Sequence, residues 1–158
     1  MSSNKLQLSK LATKELDHLS ARLDLRANIV CRLAIGRSLS IKASVKGYQR
    51  MVEEEKGTDD VIPKEFNRFT LTGEEDDLYK ILIYQHEFEC NKVKIPENQY
   101  YRGFFQLHME RGLDSLYYEY QRVNSPVRFL RSLIEGVDVT NGKISRQASV
   151  EEYNNKKV

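Results

Sequence analysis

The chain opens with an alternation of polar and apolar residues and then changes to a helical period. Residues 5–9 read Lys-Leu-Gln-Leu-Ser, and this period of two predicts a short half-buried strand or an extended lead-in. Residues 10–23 have the spacing of an amphipathic helix, with one apolar side that would face the core. The apolar stripe of this predicted helix consists of Ala12, Leu16, Leu19 and Leu23.

A second predicted helix covers residues 28–40. This segment is apolar on almost every side, and only Arg32 and Arg37 interrupt it. A helix without a polar face is buried in a core or in a subunit interface. Asn28 is the predicted N-cap, because its side-chain oxygen can accept a hydrogen bond from the first helical turn.

The middle of the chain shows weaker periodicity. Residues 41–63 are predicted to form a long surface excursion, and residues 65–71 look extended. Thr72–Glu75 has the residue types of a capping box, which predicts a helix from there to about Phe88. The predicted inner face of that helix comprises Leu78, Ile81, Leu82 and Gln85.

The helical pattern returns in the C-terminal half. Residues 98–122 have helical apolar spacing, but Gly103 and Gly112 weaken the segment and suggest two helices. The Ser-Pro pair at 125–126 supplies an N-cap and a first helical residue, so a last helix is predicted up to Glu135.

These elements together predict a mainly α protein, a compact single-domain helical bundle with one or two short strands that assembles into an oligomer. Residues 1–136 form the predicted domain. Residues 137–158 show no periodicity and are predicted to be a mobile or disordered tail.

The composition is that of a soluble globular protein. Of 158 residues, 40% are hydrophobic and 30% are charged, which argues against wholesale disorder. No apolar stretch is long enough for a membrane span, and the first residues lack the apolar region of a secretion signal. The two cysteines, Cys31 and Cys90, are isolated, so we expect a cytoplasmic protein with reduced thiols.

The net charge of +2 conceals an uneven distribution. Residues 1–50 hold ten Lys or Arg against three Asp or Glu, whereas residues 51–90 hold four against twelve.

Within the basic part, a stripe at successive i+4 positions lies opposite the leucines of the first helix: Lys10, Lys14, His18 and Arg22. Such a face suits contact with phosphates, and a solvated face that binds nothing is the alternative. Protonation of His18 would strengthen phosphate binding as the pH falls. The predicted DNA-binding residues are Lys5, Lys10, Lys14, His18, Arg22, Arg26, Arg32, Arg37, Lys42 and Lys46.

Other chemistry-bearing residues give weaker signals. His86 and Cys90 are four positions apart and could form half of a zinc site, but no second pair has matching spacing. The acidic residues 74–77 are explained by the free N–H groups at a helix start. Aromatic residues crowd positions 100–120, where a core or an oligomer interface explains them better than base stacking. Since no catalytic motif is present, we expect no catalytic residue, no metal and no cofactor.

Four segments carry a resemblance to a known family. They are Leu6–Ser9, Asn28–Ile35, Glu65–Glu74 and His108–Leu113. With these segments the chain resembles the DndE family of DNA sulfur-modification proteins over about residues 5–135.

The resemblance implies a small helical protein that forms a tetramer and takes part in phosphorothioate modification, in which sulfur replaces a non-bridging oxygen of the DNA backbone. It implies that other proteins of the system supply a cysteine desulfurase, an iron–sulfur enzyme and an ATPase. This chain would be a non-catalytic DNA-binding accessory with a preference for nicked duplex. The acidic segment 51–60 departs from that expectation, because it could repel phosphate.

Three alternatives to this function are open from the sequence. A strand followed by two helices is also the order of ribbon-helix-helix regulators, in which Lys5, Gln7 and Ser9 would read bases. A protein-interaction scaffold of the same modification complex would leave DNA binding to its partners. A stand-alone enzyme has the least support.

Overall fold

The computed structural model describes residues 4–49 and 57–135, together with the backbone of 137–138 and 143–144. Its strands and α-helices in chain order are β1 (Lys5–Gln7), α1 (Lys10–Leu23), α2 (Ala27–Leu39), β2 (Glu65–Asn67), α3 (Arg68–Thr72), α4 (Asp76–Asn91), α5 (Gln106–Val123), α6 (Pro126–Glu135), β3 (Val137–Asp138) and β4 (Lys143–Ile144). Short 3₁₀ turns occur at Val45–Gly47, Gly73–Glu75 and Glu97–Gln99, and one π-helical segment spans Tyr100–Phe105. The predicted mainly α bundle is therefore confirmed.

Helix α5 occupies the centre of the bundle, packed along α2 and α1. Its contact with α2 is very close at Gly112, where an added Cβ would lie 1.7 Å from the carbonyl oxygen of Ala34. Glycine is therefore required at this helix crossing. Large side chains that are almost completely buried fill the surrounding core, among them Leu16, Ile35, Phe105, Met109 and Phe129.

The predictions for the first two elements hold. Helix α1 begins after Ser9, whose hydroxyl accepts a hydrogen bond from the backbone N–H of Ala12 at 3.1 Å. The four residues of its predicted apolar stripe are all buried. Strand β1 pairs antiparallel with β2 of the same chain, with Leu6 opposite Phe66. That pairing differs from a ribbon-helix-helix dimer, in which the strand would pair with its copy in a second subunit.

Helix α2 is covered as expected, and Val30, Cys31, Ala34 and Ile35 are among its buried residues. The N-cap prediction was wrong. The cap position falls on Arg26, and the side-chain amide of Asn28 instead donates to the carbonyl of Thr70 on α3 at 3.4 Å.

Two predictions between residues 65 and 76 were also wrong. The extended segment ends at Asn67, because the Asn67 side chain accepts from the backbone N–H of Phe69 and starts α3. Thr72 does not cap α4. Its hydroxyl donates to the carboxylate of Asp76 at 2.7 Å, and the helix begins only at Asp76.

The largest correction concerns the orientation of α4. Leu78 and Ile81, predicted to face inward, are 52% and 62% exposed, and Leu82 is also exposed. The residues that α4 buries are Ile83 and Glu87. Hydrophobicity alone would place Leu78, Ile81 and Leu82 inside. The inner side of α4 instead carries the carboxylate of Glu87, whose hydrogen-bond donors lie inside the bundle.

The C-terminal elements follow the prediction in part. Residues 106–123 form one helix, because Gly112 serves the crossing with α2 and does not end α5. Helix α6 begins at Pro126 as predicted, with the Ser125 hydroxyl 3.5 Å from the N–H of Arg128. The predicted tail lies largely outside the described residues, and within it β3 and β4 pair antiparallel. Across the described part of the chain, no helix has the length and hydropathy that a membrane span requires.

Candidate nucleic-acid interface

The outer face of α1 presents three of the predicted cations to solvent. Lys10, Lys14 and Arg22 are exposed, and none of them forms an ion pair with another residue that the structure describes. The carboxylate of Asp17 lies on the same side of the helix, but it pairs with Lys64 at 3.1 Å. This face therefore keeps an excess of positive charge that can approach a phosphate chain.

His18 belongs to the same stripe by sequence, but it differs in environment. Its ring packs edge-on against Tyr117 at 5.3 Å and Tyr120 at 5.9 Å between ring centroids. Burial, and then the nearby positive charge of Arg22, lower the pKa of His18 below its usual value. His18 thus packs α1 against α5. Because its pKa is lowered, the His18 ring becomes positively charged only in a more acidic solution than an ordinary histidine requires.

Arg32 and Arg37 are engaged inside the fold. The Nε of Arg32 donates to the carbonyl of Leu71 at 2.6 Å. The Nε of Arg37 donates to Ser115 at 3.1 Å, and its terminal nitrogen pairs with Glu119. These guanidinium groups tie α2 to α3 and α5.

The other predicted cations lie at separate places. Lys5 pairs across the small sheet with Glu65 at 3.0 Å. Arg26 is exposed, but it shares a shallow depression with Asp24, which weakens its local positive potential. Lys42 is exposed beyond the end of α2.

Lys46 contributes to a basic groove that the sequence analysis missed. The groove has a volume of about 570 Å³ and is lined by the cations Lys46, Lys94 and Arg102. Its apolar walls include Phe104 and Leu107. Lys94 and Arg102 were overlooked because they lie about fifty residues from Lys46 in a segment with little net charge. The sequence did contain a signal for this groove, because Lys92 and Lys94 precede Pro96 and Arg102 follows it.

The aromatic segment forms core, as predicted, and stacking on bases is unavailable to its buried rings. Tyr100, Tyr101, Phe104 and Phe105 are all buried. The guanidinium of Arg68 lies 4.8 Å from the centroid of the Tyr101 ring.

The acidic residues 74–77 are held partly by the same arginine. Two nitrogens of Arg68 donate to the carboxylate of Asp76 at 2.8 and 2.7 Å. Burial alone would raise the pKa of Asp76, but the hydrogen bonds from Arg68 and Thr72 hold it below its usual value. This carboxylate therefore serves an internal ion pair that orients the start of α4.

A buried polar cluster lies where α4 faces α5, and we define it as His86, Glu87 and His108. The carboxylate of Glu87 is fully buried and accepts from His108 Nε2 at 2.9 Å and from the Val45 N–H at 3.1 Å. It also accepts from the Ser44 hydroxyl. His86 Nδ1 lies 3.4 Å from the same carboxylate.

The electrostatics of this cluster follow from burial and hydrogen bonding. Burial alone would raise the pKa of Glu87, but the donors from His108, His86 and Ser44 hold it well below its usual range. Burial lowers the pKa of His108 to about 4, against the effect of Glu87. Because Glu87 is ionised and can only accept, His108 is a neutral imidazole with its proton on Nε2.

The cluster is also the one place in the described part of the chain where three metal-ligating side chains converge. One nitrogen of each histidine and one oxygen of Glu87 lie within 4.8 Å of one another. The sequence analysis considered His86 with Cys90 and found no second pair. The two side chains that complete the cluster are Glu87, adjacent in sequence, and His108 on another helix, which only the fold brings near.

Comparison with known proteins supplies the family. The family model described as DNA sulphur modification protein DndE matches residues 5–124. A search of the curated proteins found no match. The matched region runs from β1 to the end of α5 and includes α1, the basic groove and the buried polar cluster. Because the match covers most of its length, the chain belongs to the DndE family and has a role in DNA sulfur modification.

Proposed function

We propose that this protein is a non-catalytic DNA-binding subunit of the DNA sulfur-modification machinery and that it grips the sugar–phosphate backbone of nicked or intact duplex. The observation that carries the proposal is the outer face of α1. Lys10, Lys14 and Arg22 are exposed there without an ion-pair partner in the described part of the chain. Each cation that contacts a phosphate releases bound counterions and so favours association.

The basic groove supports the same function. Lys46, Lys94 and Arg102 surround a concave surface, and among the residues that the structure describes no acidic side chain lines it. Backbone contacts of this kind position a protein on DNA and carry little sequence information. The protein would then hold duplex for its partner enzymes without selecting the site itself.

We also propose that the protein works as a homo-oligomer, in agreement with the predicted tetramer. The exposed face of α4 supports this, since it carries Leu78, Ile81, Leu82 and Phe88 within three helical turns. Exposed apolar side chains on one side of a helix are typical of a protein interface. Assembly through this face would repeat the basic surfaces and let one particle contact both sides of a nick.

The decisive experiment is a binding titration at several salt concentrations with labelled intact, nicked and single-stranded DNA. The test variant is Lys10→Gln/Lys14→Gln. The control is Lys80→Gln/Arg128→Gln, which removes the same formal charge from α4 and α6, where Lys80 is in an ion pair with Glu97. We expect the test variant to weaken binding to every duplex and to reduce the slope of log affinity against log salt by about 2, roughly one for each phosphate contact.

Two results would contradict the proposal. If the wild-type protein failed to bind DNA at low salt, the scaffold alternative would replace it. If both variants lowered the salt dependence equally, the α1 face would be an ordinary solvated surface and only net charge would matter.

A further inference from the structure

We propose that the buried polar cluster is a binding site for a divalent transition-metal ion, for which zinc is the best match. His86, Glu87 and His108 would supply three ligands, and Cys90 would complete the coordination. The site would be structural, joining α4 to α5 inside the fold. This inference is independent of DNA binding.

The spacing of the ligand atoms supports the site. Glu87 Oε1 lies 2.9 Å from His108 Nε2 and 3.4 Å from His86 Nδ1. Ligands about 2.0–2.1 Å from a tetrahedral zinc ion lie roughly 3.3 Å from one another. Two of the three separations are therefore close to the one that a bound ion requires, and the third is no longer than 4.8 Å.

The outer partners of the two imidazoles are those expected around a metal. His86 Nε2 lies 2.7 Å from the carbonyl oxygen of Ile41. His108 Nδ1 lies 2.9 Å from the hydroxyl of Ser38, which Arg111 holds from its other side at 2.8 Å. Histidine ligands commonly donate the second ring N–H to a backbone carbonyl or another oxygen, which fixes the ring orientation.

The surroundings of His86 also favour a bound ion. Both of its nitrogens face oxygens, Ile41 O on one side and the ionised Glu87 on the other. A neutral His86 that donates to Ile41 would direct its lone pair at a carboxylate. Either a proton on Nδ1 or a metal ion between Nδ1 and Glu87 removes that repulsion, and the zinc titration below distinguishes the two. His108 would bind through Nε2 after moving its proton to Nδ1, where Ser38 changes from donor to acceptor.

Cys90 is the candidate fourth ligand. It follows His86 by one helical turn, and its Sγ lies beside the ring, 3.7 Å from His86 Nε2 and 3.9 Å from Nδ1. This sulfur is not among the ligand atoms that lie within 4.8 Å of one another, so the Cys90 side chain must turn toward the ion to coordinate it. With Glu87 it would provide two negative ligands, which balance the double charge of the ion in a site that already contains the Arg111 guanidinium. Coordination deprotonates a thiol outright, so the sulfhydryl proton is released to solvent. Cys90 and His86 are both partly accessible, so the ion can enter from their side.

The test uses the full-length protein, freed of metal with a chelator and then titrated with zinc alone. We expect one zinc per chain and a higher unfolding temperature with zinc. The test variant is His86→Gln, whose amide can keep the contact with Ile41 while the inner ligand is lost. It should weaken zinc binding by more than the roughly tenfold to hundredfold typical of losing an outer-shell partner. The exposed neighbour Gln85→Ala is the control and should bind as the wild type does.

A second measurement examines the sulfur and does not depend on stability. Cobalt(II) in place of zinc should show a thiolate-to-metal absorption band in the wild type, and Cys90→Ser should remove the band while one cobalt per chain still binds. The absence of stoichiometric zinc in the folded wild type would overturn the proposal. Zinc binding of equal strength in His86→Gln would overturn it too, because the ion would then occupy some other place.

Discussion

Gly112 is where the structure predicts the clearest response to a single added methyl group. In Gly112→Ala the new Cβ would lie 1.7 Å from the carbonyl oxygen of Ala34 and 2.3 Å from its carbonyl carbon. Favourable separations between such atoms are about 3.5 Å, so α2 and α5 must move apart by roughly 1.5–2 Å. Both atoms belong to the backbone of a core helix, and no side-chain rotation relieves the contact.

The magnitude follows from two opposed effects. Overpacking of a core typically costs about 1–3 kcal/mol, and a backbone obstacle places Gly112→Ala at the upper end or beyond. Alanine favours the helical state over glycine by about 1 kcal/mol, which offsets part of the loss. We therefore expect the free energy of unfolding to fall by about 2 kcal/mol or more, a large share of the 5–15 kcal/mol of a typical domain.

Gly36 provides a matched control on α2. It is also a mid-helix glycine, but an added Cβ meets nothing within 4 Å. Gly36→Ala should therefore raise the free energy of unfolding by up to about 1 kcal/mol. Urea unfolding followed by circular dichroism measures both variants. If the two substitutions changed stability in the same direction, the close approach of α2 and α5 at Gly112 would be wrong.

Three further predictions follow from the structure. Ile81→Asp on the exposed face of α4 should reduce the mass measured by light scattering without lowering monomer stability. Ile35→Asp in the core should instead unfold the protein. An unchanged mass for Ile81→Asp would show that this face is not the interface. Because burial lowers the pKa of His108 from 6.5 to about 4, the unfolded chain takes up a proton before the folded one does as the pH falls. Stability should thus decrease between pH 6.5 and 4 by on the order of 3 kcal/mol, measured by urea unfolding with a chelator present, and His108→Gln should flatten that dependence. Lys94→Gln/Arg102→Gln should weaken duplex binding and lower its salt slope by up to about 2, and an unchanged slope would exclude the basic groove from the interface.

The sequence predicted well wherever local pattern and tertiary burial agree. The bounds of α1 and the start of α6 were correct, because each has a serine cap followed by a clear apolar period. The membership in the DndE family was recognised from four short segments. In these places, a residue's neighbours in the chain largely determine its environment.

The sequence predicted poorly where long-range polar contacts decide. Asn28 has the residue type of a cap, but it bonds to Thr70, more than forty positions away. Arg32 and Arg37 count as cations in a charge profile, yet they bond to internal oxygens of Leu71, Ser115 and Glu119. A charge count cannot separate such residues from exposed ones, because the difference depends on partners that only the fold supplies.

In helix α4, burial of the apolar side chains and hydrogen bonding of Glu87 require opposite orientations, and this conflict bears on assembly. Turning the helix by half a revolution would bury Leu78, Ile81 and Leu82, each worth about 1.5–3 kcal/mol when fully buried. The same turn would remove Glu87 from His108 and Val45, and each buried polar group left without its partner costs about 1–3 kcal/mol. It would also bring Gln85 and Glu89 into the core. A single subunit can thus satisfy only one side of α4. A second subunit placed over the leucines satisfies both sides, and for that reason we expect the exposed face of α4 to be covered in the working assembly.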